Sequence, residues 1–322
     1  MKKTLIALAA VAATGAAFAQ SSVTLSGTVD VGLQDVGGGA PLTMVSSRLG
    51  TSNWTVSGTE DLGGGLKAIF KVSTSFNADD GTLANVNALG NNDMFVGLQG
   101  GFGSLKLGRS FDTAFANALT ANSTKGVTGF STRAGTLDSN GVYISNQVLY
   151  TTPNWSGFTG MVQYAPSEVN GVSANAGVGL AYAAGPLALT YAYSKIHNND
   201  GAAANAQRNG NALNQLGASY NFGFANLLFT YTDRANVADD SNNSFALGFT
   251  APVGPGQLWG SYDRSEVGAG TTRVFHGGYK YFLSKRTTAY LNLGNKKNAA
   301  VNYGEGLGKA VTGWGVGLAH NF

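Results

Sequence analysis

Apolar and polar residues alternate with a period of two along most of the chain. Within residues 23–33, the odd positions are apolar or glycine and the even positions are polar or glycine. The same alternation returns in residues 66–73, 187–194 and 215–222. This period is typical of β-strands with one apolar and one polar face.

The alternation predicts sixteen strands, an even number. They lie near residues 22–35, 46–60, 66–77, 92–100, 103–111, 146–153, 157–165, 175–184, 186–196, 213–222, 225–234, 243–252, 256–266, 273–283, 286–294 and 311–322. Many run to about 9 to 11 residues or more, whereas strands of about 5 to 6 are usual in soluble domains. A tilted strand of that length crosses a bilayer, and sheet edges cannot stay unpaired in lipid. We therefore expect a closed barrel, with a soluble all-β protein as the alternative.

The predicted connections are alternately short and long, which is typical of outer-membrane barrels. One of them, residues 112–145, is far longer than the roughly 12 to 15 residues at which a structureless loop becomes unusual. A barrel of sixteen strands is too wide for its wall side chains to fill. The sequence thus predicts an all-β fold, a 16-stranded antiparallel transmembrane β-barrel whose long third loop folds into the lumen.

The first residues have the three parts of a secretory signal peptide. Lys2 and Lys3 are followed by an apolar stretch at 5–13 and by a small-x-small cleavage site at 17–19. We expect residues 1–19 to be removed and residues 20–322 to form the barrel. The remaining composition fits an exported membrane protein, since charged residues make up only 11% of the chain, against roughly 25% in soluble domains.

The composition also excludes several kinds of function. Cysteine is absent, so disulfides and thiolate metal sites are excluded. The 20 basic and 17 acidic residues form no runs of like charge, so nucleic acid is not an expected partner. His197, His276 and His320 are isolated, and no catalytic or metal-binding motif is present. We expect no enzyme activity, catalytic residue, metal or cofactor. The alternative is an Asp/His/Ser grouping assembled across strands, which a single sequence does not reveal.

Several segments, in order along the whole mature chain, resemble the Gram-negative general porins, the branch common in beta-proteobacteria. These are residues 58–70 (Gly-Thr-Glu-Asp-Leu-Gly-Gly-Gly-Leu-Lys-Ala-Ile-Phe), 75–77, 95–98, 102–109, 148–158, 283–287 and 317–322 (Gly-Leu-Ala-His-Asn-Phe). The resemblance implies a homotrimer in the outer membrane, among its lipid and lipopolysaccharide. Each barrel would hold a water-filled channel, narrowed by the third loop, through which ions and small hydrophilic solutes diffuse passively.

The last strand carries a further expectation from the resemblance. Five alternate residues face outward in the predicted strand: Trp314, Val316, Leu318, His320 and Phe322. In similar proteins this pattern is the signal read by the barrel assembly machinery. It is equally the pattern of an ordinary lipid-facing strand.

The alternation assigns charged side chains to the lumen. The inward cations are Lys67, Lys71, Lys106 and Lys280, and the inward acids are Asp30, Asp93 and Asp263. Arg48 is also assigned inward. In a regular strand it would face the same side as Trp54 and Val56, because all three positions are even-numbered. A bulge between Arg48 and Trp54 is therefore required. The third loop adds Asp112, Lys125, Arg133 and Asp138. This excess of cations on the wall predicts a mild anion preference; alternatively, the charges only keep the lumen wet.

The sequence departs from the family where its members commonly carry arginines. Asn92, Tyr143 and Leu149 stand at those places, so a strong basic cluster is not expected. Arg109 matches a family motif, but it alternates with Leu105 and Leu107 on the same face of its strand. It is therefore expected to point outward, near the rim. A substrate-specific channel remains the alternative function. Its expected aromatic track has only scattered candidates, Phe95, Trp259 and Tyr290.

Overall fold

The computed structural model describes residues 22–84, 89–119, 142–168, 170, 173–196, 211–235, 242–267, 270–298 and 310–322. The predicted signal peptide, 1–19, lies outside these residues. So does most of the predicted long loop. Of the helices in the described ranges, none is long and apolar enough to span a membrane.

The described residues form one short helix and seventeen strands. The helix is α1 (Thr113–Ala118), and the strands are β1 (Ser22–Asp35), β2 (Thr43–Ser46), β3 (Asn53–Gly63), β4 (Leu66–Ser75), β5 (Met94–Gly100), β6 (Gly103–Phe111), β7 (Tyr143–Thr151), β8 (Phe158–Ala165), β9 (Asn175–Ala184), β10 (Leu187–Ile196), β11 (Asn211–Asn221), β12 (Asn226–Ala235), β13 (Asn242–Val253), β14 (Gly256–Val267), β15 (Gly270–Phe282), β16 (Thr287–Asn298) and β17 (Ala310–Asn321).

The strands close into an antiparallel barrel. From β3 onward each strand pairs with the next, and β17 pairs with β1 from Thr28↔Asn321 to Asp35↔Trp314. Both β2 and β3 pair with β1, β2 along one half of it and β3 along the other. They therefore occupy one position in the wall. The predicted 16-stranded barrel is confirmed.

A bulge at residues 47–52 separates β2 from β3. It begins at Ser47, whose φ of 64° lies in the left-handed region. The backbone N–H groups of Leu49 and Gly50 donate to one carboxylate oxygen of Asp30, at 2.5 and 2.9 Å. Since the Asp30 side chain belongs to the inner face of β1, the bulge turns inward. The structure thus has the bulge that an inward Arg48 requires.

The two faces of the wall differ as the alternation predicts. Large apolar side chains are exposed on the outer face, with Leu25, Leu180 and Phe275 more than 60% exposed. Polar side chains such as Thr190 and Gln215 are buried on the inner face. An apolar exterior is the surface that a bilayer stabilises. The one buried apolar cluster among the described residues, Ala114, Ala192 and Leu213, joins α1 to the inner wall.

Most strand ends agree with the sequence prediction, but four segments differ. Strand β15 begins at Gly270, three residues before the predicted start, because residues 270–272 pair with β14. The predicted strand 46–60 is two strands, because the bulge at 47–52 interrupts its ladder. Strand β7 begins at Tyr143, so the third loop ends earlier than predicted. Strand β16 continues to Asn298, past the predicted end at 294, because its last residues pair with β15 although they are polar.

The candidate channel lumen

A basic patch formed by Lys71, Asp93, Phe95 and Lys106 lies on the inner face of β4 to β6. The Lys71 ammonium is 2.7 Å from the Asp93 carboxylate. Lys106 lies over the Phe95 ring, 4.7 Å from its centroid, which is a cation–π geometry. Lys106 is also attracted by Asp93 and repelled by Lys71. Two ammonium groups therefore share one carboxylate, and the patch carries a net positive charge.

Arg48 lies in a second charged cluster, beside β1 and β16. The Tyr290 hydroxyl donates to Asp30 at 2.6 Å, and both side chains are buried. The guanidinium of Arg48 lies within electrostatic reach of Asp30 and of the exposed Asp79. The bulge at 47–52 thus brings Arg48 to the inner face, but next to acids that offset its charge.

The other predicted wall charges also lie on the inner face, away from the basic patch. Lys67 stands opposite Asp61 in the β3–β4 register, near a short turn. Lys280 is only 7% exposed. Asp263 is fully buried, with a carboxylate oxygen 3.1 Å from His276 Nε2 and the ring of Trp259 packed against His276. These three carboxylate and ammonium groups contribute less to the open lumen than the basic patch does.

Sequence reasoning missed two inward cations, Arg234 on β12 and Lys296 on β16. Arg234 pairs with the inward Leu213, and Lys296 pairs with the inward Val274. Both share the parity of neighbouring inner-face residues, so the alternation could have found them. Arg234 stood at the last residue of its predicted strand, and Lys296 lay beyond the predicted end at 294. Lys125, Arg133 and Asp138 lie outside the described residues, as does His197.

Helix α1 is anchored to the inner wall by Asp112, the residue before its first turn. The Asp112 carboxylate accepts from the Ala114 N–H at 3.2 Å and from the Ser194 hydroxyl at 2.8 Å. The Thr113 N–H donates to the Gln163 amide oxygen at 2.9 Å. An aspartate that accepts from the first turn is a favourable N-cap. Burial raises the pKa of Asp112 to about 6, although these hydrogen bonds act to lower it.

Two glycines of β9 make room for the helix. A Cβ at Gly179 would lie 2.7 Å from the Asn117 amide nitrogen, and one at Gly177 would overlap the Thr113 hydroxyl. Asn117 in turn donates to the Tyr191 carbonyl at 2.7 Å. The start of the third loop therefore contacts the inner face of the barrel.

The remaining predicted residues lie as follows. Arg109 is paired with the outward Met94, as its parity predicts. Its guanidinium donates to the Asn91 carbonyl and to Ser145, and it stacks on Tyr143. Asn92 is buried at the rim and Leu149 is buried on the inner wall. Phe95, Trp259 and Tyr290 all face inward, on three separate strands. The outward alternation of Trp314, Val316, Leu318, His320 and Phe322 is present in and just after β17.

Comparison with known proteins identifies the family. A protein-family model described as Gram-negative porin matches residues 4–300. The chain belongs to the Gram-negative porin family.

Curated relatives cover this porin from end to end. Outer membrane porin protein 32 of Delftia acidovorans is 35% identical, and an outer membrane porin protein of Bordetella pertussis is 30% identical. Each of these alignments covers 100% of this chain and 100% of the relative. The major outer membrane protein P.IB of Neisseria lactamica is 28% identical over the same shares. All three are beta-proteobacterial porins, as the sequence motifs predict.

The solved structures give the same result. The anion-selective porin from Comamonas acidovorans matches with a TM-score of 0.78 and 31% identity, covering 94% of this chain and 100% of that chain. The porin described here is therefore an outer-membrane β-barrel channel for passive diffusion, through which small solutes and ions pass.

Proposed function

We propose that this porin is a general diffusion channel with a mild preference for anions. The observation that carries the proposal is the basic patch, where Lys71 and Lys106 share Asp93 on an inner face. Fixed charge of one sign along a pore concentrates ions of the opposite sign. Among the described residues, the inner face carries more cations than acids. The cations are Arg48, Lys67, Lys71, Lys106, Arg234, Lys280 and Lys296, and the acids are Asp30, Asp61, Asp93, Asp112 and Asp263.

The preference is mild because most of these charges are offset locally. Arg48 faces Asp30, and Lys67 faces Asp61. The relative from Comamonas acidovorans is described as anion-selective, which supports the same sign here. A general channel is favoured over a substrate-specific one, because Phe95, Trp259 and Tyr290 lie on β5, β14 and β16, which are not neighbouring strands, and so form no track within the described part of the wall.

Reversal potentials across planar bilayers in a salt gradient test the selectivity. We expect the wild-type channel to pass chloride in preference to potassium, and the double variant Lys71→Glu/Arg48→Glu to prefer potassium. Lys195→Glu/Lys285→Glu is the matched control, because Lys195 lies on the outer face of β10 and Lys285 lies in the turn after β15, and the same total charge change there should leave the reversal potential unchanged. An unchanged potential in the double variant would show that neither side chain faces the conducting path.

We further propose that three copies assemble into a homotrimer, among outer-membrane lipid and lipopolysaccharide, after residues 1–19 are removed. The motif matches along the mature chain support this assembly. Channel insertion in conductance steps of three would support the trimer, whereas single steps of equal size would contradict it. Intact-mass measurement of protein purified from outer membranes tests the processing, with Gln20 expected as the first residue.

The outward alternation from Trp314 to Phe322 supports recognition of the last strand by the barrel assembly machinery. Strand addition at an open edge is an established way to bind an extended segment. Phe322→Ala should therefore slow delivery of the barrel to the outer membrane in cells, while refolding of the purified variant into detergent stays close to wild type. A refolding defect as large as the defect in cells would assign Phe322 to barrel stability alone.

The geometry around His276 supports a channel without chemistry. The Ser261 hydroxyl donates to Asp263 at 2.5 Å, and His276 contacts the other oxygen of the same carboxylate. In a nucleophilic site the histidine lies between the serine and the acid. Here the acid lies between them, so this Asp/His/Ser grouping does not activate the serine.

A further inference from the structure

Three cations lie in one row on the outer face of the barrel. In the sheet register, Arg264 on β14 is directly opposite Arg273 on β15, and Arg273 is directly opposite Lys297 on β16. We refer to Arg264, Arg273 and Lys297 as the outer basic row. Like charges directly opposite each other across strands are destabilising. The row thus concentrates positive charge where the sheet alone would disfavour it.

Only part of this charge is compensated within the chain. Glu266 forms an ion pair with Arg264, and both side chains are half-buried. Arg273 and Lys297 are exposed, and among the described residues neither forms an ion pair with an acid. The outer basic row therefore has a net positive charge even after its one ion pair is counted.

An apolar groove of about 620 Å³ lies next to the row on the same strands. Its floor includes Gly260 and Gly277, which face each other in the register, and its sides include Phe249, Phe275 and Leu293. The Tyr262 and Phe275 rings, 4.5 Å apart, separate the row from the glycines. Aromatic residues of this kind mark the level of the membrane interface in outer-membrane barrels.

The position of the row fixes the leaflet that it faces. Arg264 and Arg273 lie near the ends of β14 and β15 that meet at Val267↔Gly270, and Lys297 lies at the end of β16 before the long connection to β17. Long connections face the outside in barrels of this type. The outer basic row is thus at the headgroup level of the outer leaflet, and the groove lies at the level of the acyl chains below it.

We propose that the outer basic row and the groove form a binding site for one molecule of lipopolysaccharide. The phosphate groups of its lipid anchor would lie against Arg273 and Lys297, and an acyl chain would occupy the groove over Gly260 and Gly277. Guanidinium and ammonium groups are the usual protein partners of phosphate. The proposal deepens the proposed function, on which it rests, by naming the residues that contact the surrounding lipid.

Native mass spectrometry of the purified porin with added lipopolysaccharide tests the site. We expect Arg273→Glu/Lys297→Glu to weaken binding at the site more than tenfold, because two attractive charges become repulsive. Lys195→Glu/Lys285→Glu is the matched control. This control makes the same total charge change away from the row, because Lys195 is an isolated outward cation and Lys285 lies in a short turn on the opposite rim. It should bind lipopolysaccharide as the wild type does.

Three results would overturn the proposal. Equal weakening in the control would mean that only net charge matters. Phosphatidylglycerol binding as tightly as lipopolysaccharide would show that the row does not select the outer-leaflet lipid. A change in the number of chains per particle in the double variant would assign the row to contacts between copies. Single-channel conductance separates the test of the lipid site from the test of the channel function. A double variant that conducts but no longer binds lipopolysaccharide supports the site. A wild-type protein that does not conduct would contradict the proposed channel function instead.

Discussion

Asp93 limits the charge that the lumen presents to ions. Its carboxylate neutralises one of the two lysines of the basic patch, Lys71 and Lys106. Because it is only 4% exposed, it acts mainly through these two neighbours.

Replacing Asp93 by asparagine should therefore increase the anion preference. With both ammonium groups uncompensated, we expect the chloride-to-potassium permeability ratio to rise by about two- to threefold in dilute salt. Reversal potentials measure the ratio, with Glu60→Gln on the outer face of β3 as a control of equal charge change. A shift toward potassium in Asp93→Asn would mean that the patch collapses without its acid.

Asp112 should make the anchoring of α1 depend on pH. Its pKa is about 6 in the folded protein and near 3.9 in an unfolded chain, so the folded state holds a proton that the unfolded state has lost. The resulting stabilisation is fully present below about pH 4 and is lost as the pH rises through 6. The difference is on the order of 3 kcal/mol.

Hydrogen exchange at the Ala114 and Ala116 amides measures this effect. Protection should fall between pH 4 and 7 in the wild type, after correction for the intrinsic exchange rate, and should stay level in Asp112→Asn. Protection that rises with pH in the wild type would contradict a protonated Asp112.

Single residues show how far the sequence alone could be used. Parity correctly placed Lys71 and Lys106 on one face, because a regular strand alternates strictly. It could not show that Asp93 serves both lysines, since that depends on the register between strands. It also could not show that Lys280 is nearly buried, because burial depends on segments distant in sequence.

Helix α1 is the element whose position most directly affects the lumen. It contacts β9 where Gly177 and Gly179 lack side chains. The N-cap motif was not visible in the periodicity, since a helix of six residues is too short to establish a period of 3.6. Its place in the fold therefore came only from the structure.

Gly179→Ala should loosen this helix. The added methyl group would lie 2.7 Å from the Asn117 amide, and overpacking of this kind costs about 1 to 3 kcal/mol. We expect larger fluctuations of the open-channel current. Gly315→Ala on the inner face of β17 is the control, because its methyl group would meet its nearest atom at 3.4 Å. Equal noise in the two variants would show that α1 does not contact Gly179 in the working channel.

The seam between β1 and β17 depends on a small residue as well. Phe322 pairs with Gly27 through two backbone hydrogen bonds of 3.0 and 3.1 Å. A Cβ at Gly27 would lie 2.5 Å from the tip of the Phe322 ring. Gly27→Ala should lower the free energy of unfolding by about 1 to 3 kcal/mol, measured by urea titration of the refolded barrel. Gly27→Ala combined with Phe322→Leu should recover part of the loss. No recovery would place the strain at the Asn53 carbonyl, which also faces Gly27.

Strands were more predictable than their interruptions. Regular alternation predicts β4, β9 and β10 within about two residues, because every residue contributes to the signal. The bulge at 47–52 has no period of its own. It is held by the Asp30 carboxylate from another strand, so only the parity conflict between Arg48 and Trp54 pointed to it.

At the scale of the whole molecule, the width of the barrel governs how its charges act. The Debye length is about 10 Å at 0.1 M salt and about 3 Å at 1 M. Charges on the wall of a wide, wet lumen should therefore lose their influence as salt is added.

We accordingly expect the anion preference to fall toward unity between 0.1 and 1 M potassium chloride. The same bilayer recordings measure it, with the two chambers kept at a fixed concentration ratio. A preference that persists at 1 M, together with a conductance that saturates, would instead indicate a contact site for one solute and favour the substrate-specific alternative.

The pairing of β1 with β17 has a consequence for biogenesis. The earliest and the latest strands to emerge from the ribosome become neighbours, so no partial product can form a sealed cylinder. A polypeptide truncated by a nonsense codon would lack β17, so β1 and the last remaining strand would be left as two unpaired edges. Lipid cannot satisfy the backbone groups of such edges, so a truncated chain should not insert into the membrane as an open channel.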